Sequence, residues 1–174
     1  MVKDPDIPVD ILKRLARDSN PTIRSYTAEH PNTPAEILVK LAKDRKNAGV
    51  RYSVANNPNI PITTLMKLAT DKEDAIRLVL AHNPSAPAQA LMELIADKDR
   101  NVRAAAANHS NIPADTLAQL ASNRDWLIRA RVATNPSTPI EVLVELAKDD
   151  YEGVRRAVVR NPNLPPHIRT MVNI

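Results

Sequence analysis

The sequence predicts an all-α protein built as a solenoid of stacked two-helix repeats, and three observations predict it. The first is the placement of proline. The chain of 174 residues carries 15 prolines, above the roughly 5% average, and 13 of them fall into two columns. One column holds Pro5, Pro31, Pro58, Pro84, Pro136 and Pro162; the other holds Pro8, Pro34, Pro61, Pro87, Pro113, Pro139 and Pro165. Within the second column every step is 26 residues, except one of 27 between Pro34 and Pro61. A fixed period in this range is the mark of a repeat architecture. The second observation is that apolar residues recur at helical spacing behind these prolines. The third is that each helical stretch is shorter than the roughly 12–15 residues an isolated helix needs in water, so each must pack on its neighbours.

The first helix of each repeat opens at the second proline. In Thr33-Pro34-Ala35-Glu36 the proline takes the first helical position, where its missing N–H is not needed. Thr33 and Glu36 have the capping-box spacing, as do Thr138 and Glu141. Ile37, Leu38, Leu41 and Ala42 then form one stripe, repeated by Ile11, Leu12, Leu15 and Ala16 and by Val142, Leu143, Leu146 and Ala147. The spacing predicts about three turns. After a polar turn comes a second, shorter helix on Val50, Val54 and Ala55, recurring as Ile76, Leu80, Ala81 and as Ile128, Val132, Ala133. It ends at Asn/His-Pro pairs such as Asn57-Pro58, because the residue before proline is pushed out of the helical region. Asn and His tolerate that irregular backbone. The repeats number about six and a half and run from near Asp4 to the end, so residues 1–174 are expected to form a single solenoid domain.

Units such as Asn135-Pro136-Ser137-Thr138-Pro139-Ile140-Glu141-Val142-Leu143-Val144-Glu145-Leu146-Ala147-Lys148-Asp149, followed by Val154-Arg155-Arg156-Ala157-Val158, resemble the leucine-rich repeat variant family, a HEAT-like α-helical repeat. The resemblance covers nearly the whole chain. It implies a right-handed superhelix of alternating longer and shorter helices, the shorter of α or 3₁₀ type, with no β-strand. Some chains with this repeat are associated with a cysteine-ligated cluster, a feature that cannot carry over to a chain with no cysteine. Ser110 stands in place of one proline, and Arg169 in place of the last repeat's leucine.

Six arginines follow the first apolar position of the second helix: Arg24, Arg51, Arg77, Arg103, Arg129 and Arg155. At about 100° per residue they fall inside the apolar arc, so they point to the packed side and need partners there. Asp18, Asp71, Asp97 and Asp149 stand six positions before an arginine, Asp44 seven, and Asn123 takes the place once. This pattern looks like the Asp/Arg ladder of HEAT-type repeats, in which the guanidinium bridges carboxylates and turn carbonyls.

Catalysis finds little support. Zero cysteine excludes a disulfide framework, a thiolate zinc site and a cysteine nucleophile. His30 and His109 share the helix-ending column with Asn57, Asn83, Asn135 and Asn161, while His82 and His167 lie in other columns. Neither a metal site nor a nucleophile beside a base can be assembled from them, and Gly49 and Gly153, the only glycines, build no phosphate loop. No enzyme activity, metal or cofactor is expected. The longest uncharged run, between Arg77 and Glu93, is broken by Pro84 and Pro87 and falls short of the ~20 residues of a membrane span. Met1-Val2-Lys3-Asp4-Pro5 has no apolar stretch behind it, so a signal peptide is not expected and a cytoplasmic protein is.

A binding or scaffolding module for a protein or peptide is the expectation that remains. Positions two and six after the first apolar residue of the second helix point away from the core and change chemistry from repeat to repeat: Ser25/Glu29, Tyr52/Asn56, Leu78/His82, Ala104/Asn108, Ala130/Thr134 and Arg156/Arg160. Tyr52, Leu78 and His82 are the candidate anchors at one end; Arg131, Arg156 and Arg160 are the candidate cations at the other. Trp126 and Tyr151 stand in inter-helix turns and are further candidates. Nucleic acid is the alternative partner. Net charge is +4 and the pI is about 9.5, but 13 basic and 10 acidic residues through Pro87, then 11 and 10, leave no dense basic run beyond the Arg155–Arg160 cluster. Arg169 and Asn173 interrupt the last apolar stripe with polar groups, which predicts a cap and a monomer.

Overall fold

The computed structural model describes residues 6–172. Asn173 of the polar end stripe and the opening segment through Pro5 lie outside them. The described residues form thirteen α-helices and no strand. The chain divides into two compact units between Ala90 and Leu91. The first holds α1 (Val9–Leu15), α2 (Pro21–Glu29), α3 (Ala35–Leu41), α4 (Ala48–Asn56), α5 (Ile62–Leu68) and α6 (Asp74–Ala81). The division falls within α7 (Ala88–Ile95). The second unit continues with α8 (Arg100–Ala107), α9 (Ala114–Leu120), α10 (Trp126–Thr134), α11 (Ile140–Leu146), α12 (Glu152–Val159) and α13 (Pro166–Arg169).

In both units the second helix of a repeat packs on the second helices of its neighbours: α2 on α4 and α4 on α6 in the first, α8 on α10 and α10 on α12 in the second. The first helices lean on the second helices beside them. Leu12, Leu38 and Leu65 occupy one column of the first unit and are fully buried together with Val50, Val54 and Leu80. Leu117, Leu143, Ile128 and Val132 do the same in the second unit. Each such side chain stabilises the fold by about 1.5–3 kcal/mol relative to exposure. No helix is long and apolar enough to cross a membrane among the described residues.

Helix lengths differ from the expected longer-then-shorter alternation. The full first helices outside the boundary element α7 have seven residues, and the second helices eight or nine. The first helix tightens early: Lys43 N–H donates to Lys40 O at 3.1 Å and Asp44 N–H to Leu41 O at 3.0 Å, both i→i+3 bonds that end the regular helix. The second helix begins before its first apolar residue, on polar caps. Asn47 Oδ1 accepts from Val50 N–H, Asp99 Oδ1 from Asn101 and Val102 N–H, and Asp125 Oδ1 from Leu127 N–H. All helices, including the second of each repeat, are of α type among the described residues.

The capping box also differs. Pro34 lies one position earlier than expected, at the N-cap, with ψ of 146°. Its carbonyl accepts from Ile37 and Leu38 N–H at 2.9 and 3.2 Å. The Thr33 hydroxyl turns the other way and donates to Thr27 O at the end of α2, and the Thr138 hydroxyl donates to Val132 O in α10. A threonine that closes the preceding helix cannot cap the following one, so the proline carbonyl does it.

Candidate partner-binding surface

Three recurring sets of polar bonds join neighbouring repeats within each unit and decide which side chains remain at the surface. In the first, Arg24 Nε and Nη2 donate to Asp44 Oδ2 at 2.9 and 2.7 Å while Nη1 donates to Asp18 O at 2.7 Å. Arg51 binds Asp71 through Nε at 2.7 Å and Nη2 at 3.0 Å, and Asp44 O through Nη1 at 2.8 Å. Arg129 binds Asp149 at 2.6 and 2.9 Å and Asn123 O at 2.8 Å. The carboxylate therefore comes from the following repeat, 20 residues on, and the aspartate or asparagine before each arginine supplies its carbonyl. That aspartate is engaged in its own turn: Asp18 Oδ1 accepts from Asn20 N–H, Asp71 Oδ1 from Glu73 N–H and Asp149 Oδ1 from Tyr151 N–H.

The other three arginines make the same bond to the turn carbonyl before them. Arg77 donates to Asp71 O, Arg103 to Asp97 O and Lys98 O, and Arg155 to Asp149 O and Asp150 O. Asn123 carries no charge for Arg103, and the carboxylate two residues later, Asp125, stands 3.8 Å from it. Arg100 grips the same Asp125 with two bonds of 2.8 and 2.7 Å and draws its pKa down to about 2. Burial acts to raise Asp44 and Asp71, yet the hydrogen bonds from Arg24 and Arg51, with backbone N–H groups, hold both below the ordinary carboxylate value. The bond from Arg129 lowers Asp149 in the same way.

The second set escapes the sequence reading. The helix-ending asparagines are buried and bind across the repeat. Asn57 Nδ2 donates to Ala28 O and His30 O, and Asn83 Nδ2 to Ala55 O and Asn57 O. In the second unit Asn135 reaches Ala107 O and His109 O, and Asn161 reaches Ala133 O and Asn135 O. Each Oδ1 accepts from the N–H two residues on, as Asn57 does from Asn59 at 2.8 Å. His30 and His109 substitute Nδ1 for that oxygen, accepting from Asn32 and Asn111 N–H. The signal was the column itself: a position needing only an irregular backbone would admit Asp or Gly, whereas this one holds only Asn and His, which offer both a donor and an acceptor. A third, exposed set runs alongside, with Asn59 donating to Pro31 O, Ser85 to Pro58 O, Ser137 to Ser110 O and Asn163 to Pro136 O.

The outward columns of the second helices lie outside these sets. In the first unit Tyr52 is 42% exposed, His82 and Glu29 are exposed, and Leu78 and Ser25 are half-buried. His82 Nδ1 lies 2.9 Å from Leu78 O within α6, and Glu29 accepts from the Ser53 hydroxyl at 2.8 Å. In the second unit Ala104, placed on the outward strip by the sequence, is buried at 4%. It packs in a cluster with Ala107 and Ile128, because its side chain is small enough for the neighbouring second helix to close over it. Ala130 and Thr134 are half-buried, and Thr134 donates to Asn108 Oδ1 at 2.9 Å. Arg131 and Arg160 are exposed, whereas Arg156 pairs with Glu152 one turn before it.

Trp126 and Tyr151 meet. Their rings stack at 4.4 Å between centroids with 29° between planes, and Arg100 lies 5.3 Å from the Trp126 ring. The three residues come from consecutive repeats, so the indole is half-buried between a guanidinium and a phenol. Gly153 makes room for this: a Cβ there would stand 2.8 Å from Tyr151 Cε1. Among the described residues no group of three His, Asp or Glu side chains stands together as a metal site would need.

Helix pairs repeated along the chain and joined by these bonds define an α-solenoid repeat protein. Its architecture is similar to that of a leucine-rich repeat variant. A solved structure described as a leucine-rich repeat variant with a novel repetitive structural motif matches at TM-score 0.67 and 26% identity, over 95% of this chain and 70% of that one. An engineered protein matches at TM-score 0.49 and 18% identity, over 87% of this chain and 94% of that one. No family model matches the sequence, and no curated protein does.

Proposed function

We propose that this chain is a non-enzymatic, monomeric binding or scaffolding module that takes a protein or peptide segment along the outward columns of its second helices. One observation carries the reading. Packing and the bond sets fix the inward positions of the second helices, whereas these outward columns vary from Ser25/Glu29 to Tyr52/Asn56 to Leu78/His82 within one unit. Tyr52 supplies an exposed aromatic anchor, Leu78 an apolar step beside it and His82 a polar neighbour. The likeness to a repeat protein supports a scaffold role by fold alone.

The test is capture from lysate with nuclease treatment, followed by affinity measurement of the recovered partner against Tyr52→Ala and Leu78→Ala. Each variant is expected to weaken binding by about 1–2 kcal/mol while the protein stays monomeric in sedimentation. A folded Tyr52→Ala/Leu78→Ala double variant with unchanged affinity would remove this face from consideration. The alternative reading is nucleic acid at the Arg155–Arg160 cluster, where Arg160 is exposed, Arg156 forms an exposed pair with Glu152 and Arg155 bonds turn carbonyls.

A further inference from the structure

The stacking of repeats assembles cations in the first unit that are scattered in the sequence. Between the first and second repeats lies a cleft lined by Lys13, Arg17, Arg24, Lys40 and Lys43. Its single carboxylate, Asp44, is already bonded to Arg24. Between the second and third repeats a second cleft is lined by Lys43, Arg45, Arg51 and Lys72, and its carboxylate, Asp71, is likewise bonded to Arg51. Lys43 belongs to both. Arg17, Lys40, Lys43 and Arg45 are exposed and make no ion pair among the described residues. Lys13 and Lys72 have only open surface pairs, with Glu36 at 3.4 Å and Glu73 at 3.6 Å.

The fold does not demand this charge. The second unit builds the same Arg–Asp bridge from Arg129 and Asp149, over the same apolar floor: Ala121, Val142 and Leu146 stand where the first unit has Ala16, Ile37 and Leu41. At the rim, however, Ala118, Ser122 and Glu145 replace Lys13, Arg17 and Lys40, and only Lys148 matches Lys43. Helix-dipole compensation does not explain the difference either, because α3 ends with Lys40 in its last turn while α11 ends with no basic residue there. The positive rim is therefore a property of the first unit's surface, separate from its stability.

We infer that these two consecutive clefts bind the phosphate backbone of a nucleic-acid duplex, without reading its sequence. The lining offers many ammonium and guanidinium donors, no aromatic ring and no exposed apolar anchor. A peptide would draw its affinity from anchors of the latter kinds, and a single strand from stacking on rings. A duplex backbone presents rows of anionic oxygens that need only cations, and neutralising each phosphate releases condensed counterions. The inference goes beyond the peptide reading and uses a different surface, so a duplex could be held while the second-helix face is occupied.

The experiment measures binding of a labelled DNA duplex of about 20 base pairs by anisotropy between about 50 and 200 mM salt. With about four phosphate contacts the affinity should fall on the order of 100-fold across that range. Lys40→Glu/Lys43→Glu should lower affinity at least about 10-fold at the lowest salt and roughly halve the salt slope. Lys148→Glu, at the matching position of the second unit, and Tyr52→Ala should leave affinity within about 2-fold, the range of ordinary surface changes. Lys40→Gln/Lys43→Gln reads the same loss without placing new carboxylates beside the Arg24–Asp44 bridge. No duplex binding at the lowest salt would overturn the inference, as would full affinity in both double variants. So would tighter binding of single-stranded DNA, inorganic polyphosphate or polyglutamate than of the duplex.

Discussion

Asn57 illustrates how one buried side chain joins two repeats. It is 2% exposed, and its amide donates at 2.6 and 3.2 Å to carbonyls of the preceding repeat while its oxygen accepts from Asn59 N–H at 2.8 Å. The Ala28 carbonyl it reaches lies in the last turn of α2, where carbonyls lack intrahelical partners. Removing the amide takes its partner from the Ala28 carbonyl in a dry environment and one of two bonds from His30 O, which keeps Thr33 N–H, so Asn57→Ala is expected to cost about 2–4 kcal/mol. Its chain neighbour Asn56 has the same chemistry but is exposed, and Asn56→Ala should cost less than about 0.5 kcal/mol. Urea unfolding of the two variants checks this, and equal midpoints would contradict the assigned roles. Burial alone separates the two asparagines, and burial was not legible from residue type.

At the scale of elements, the turns between first and second helices are not all built alike. In the second unit that turn is built around stacked side chains, with Trp126 between Arg100 and Tyr151. The sequence placed both aromatics in turns but not against each other, because the two are 25 positions apart and only the stacking of repeats brings them to 4.4 Å. Gly153 is the position on which the arrangement depends, and its backbone has no need of positive φ. A methyl group at Gly153 would meet the Tyr151 ring at 2.8 Å, so Gly153→Ala is expected to swing the phenol off the indole. Trp126 is the only tryptophan, so its emission should change in intensity and shift to the red as water replaces Tyr151. An emission spectrum identical to that of the parent protein would show that the ring is not held as described.

Across the molecule the Arg–Asp bridges tie stability to pH. Asp44, Asp71, Asp125 and Asp149 all have folded-state pKa values below the ordinary 3.8, with Asp125 near 2. The unfolded chain then binds more protons than the folded one through this window, and stability rises with pH there. The contribution is fully present above about pH 4 and is lost as pH falls through the folded values toward about 2. Thermal melts should thus be nearly level from pH 7 to about 5 and drop steeply between about 4 and 2. Asp44→Asn/Asp71→Asn should flatten that drop while lowering the melting point at neutral pH. An acid transition left intact by the double variant would place its origin elsewhere.

The 26-residue period, the paired helices and the apolar stripes follow from the sequence alone, because proline and helical periodicity are local constraints that any copy of the repeat obeys. The placement of the arginines on the packed side was also local, a matter of angle around one helix. Which carboxylate each arginine takes was not. The choice between the aspartate six positions before and the one 20 positions after depends on which repeat lies beside which face. The asparagine bonds, the burial of Ala104 and the meeting of Arg17 with Lys40 and Lys43 have the same origin. Charge counted along the chain is nearly even, yet stacking consumes the carboxylates in bridges and leaves the lysines at the rim. Only the packing of one repeat on the next, a contact between residues distant in sequence, decides that.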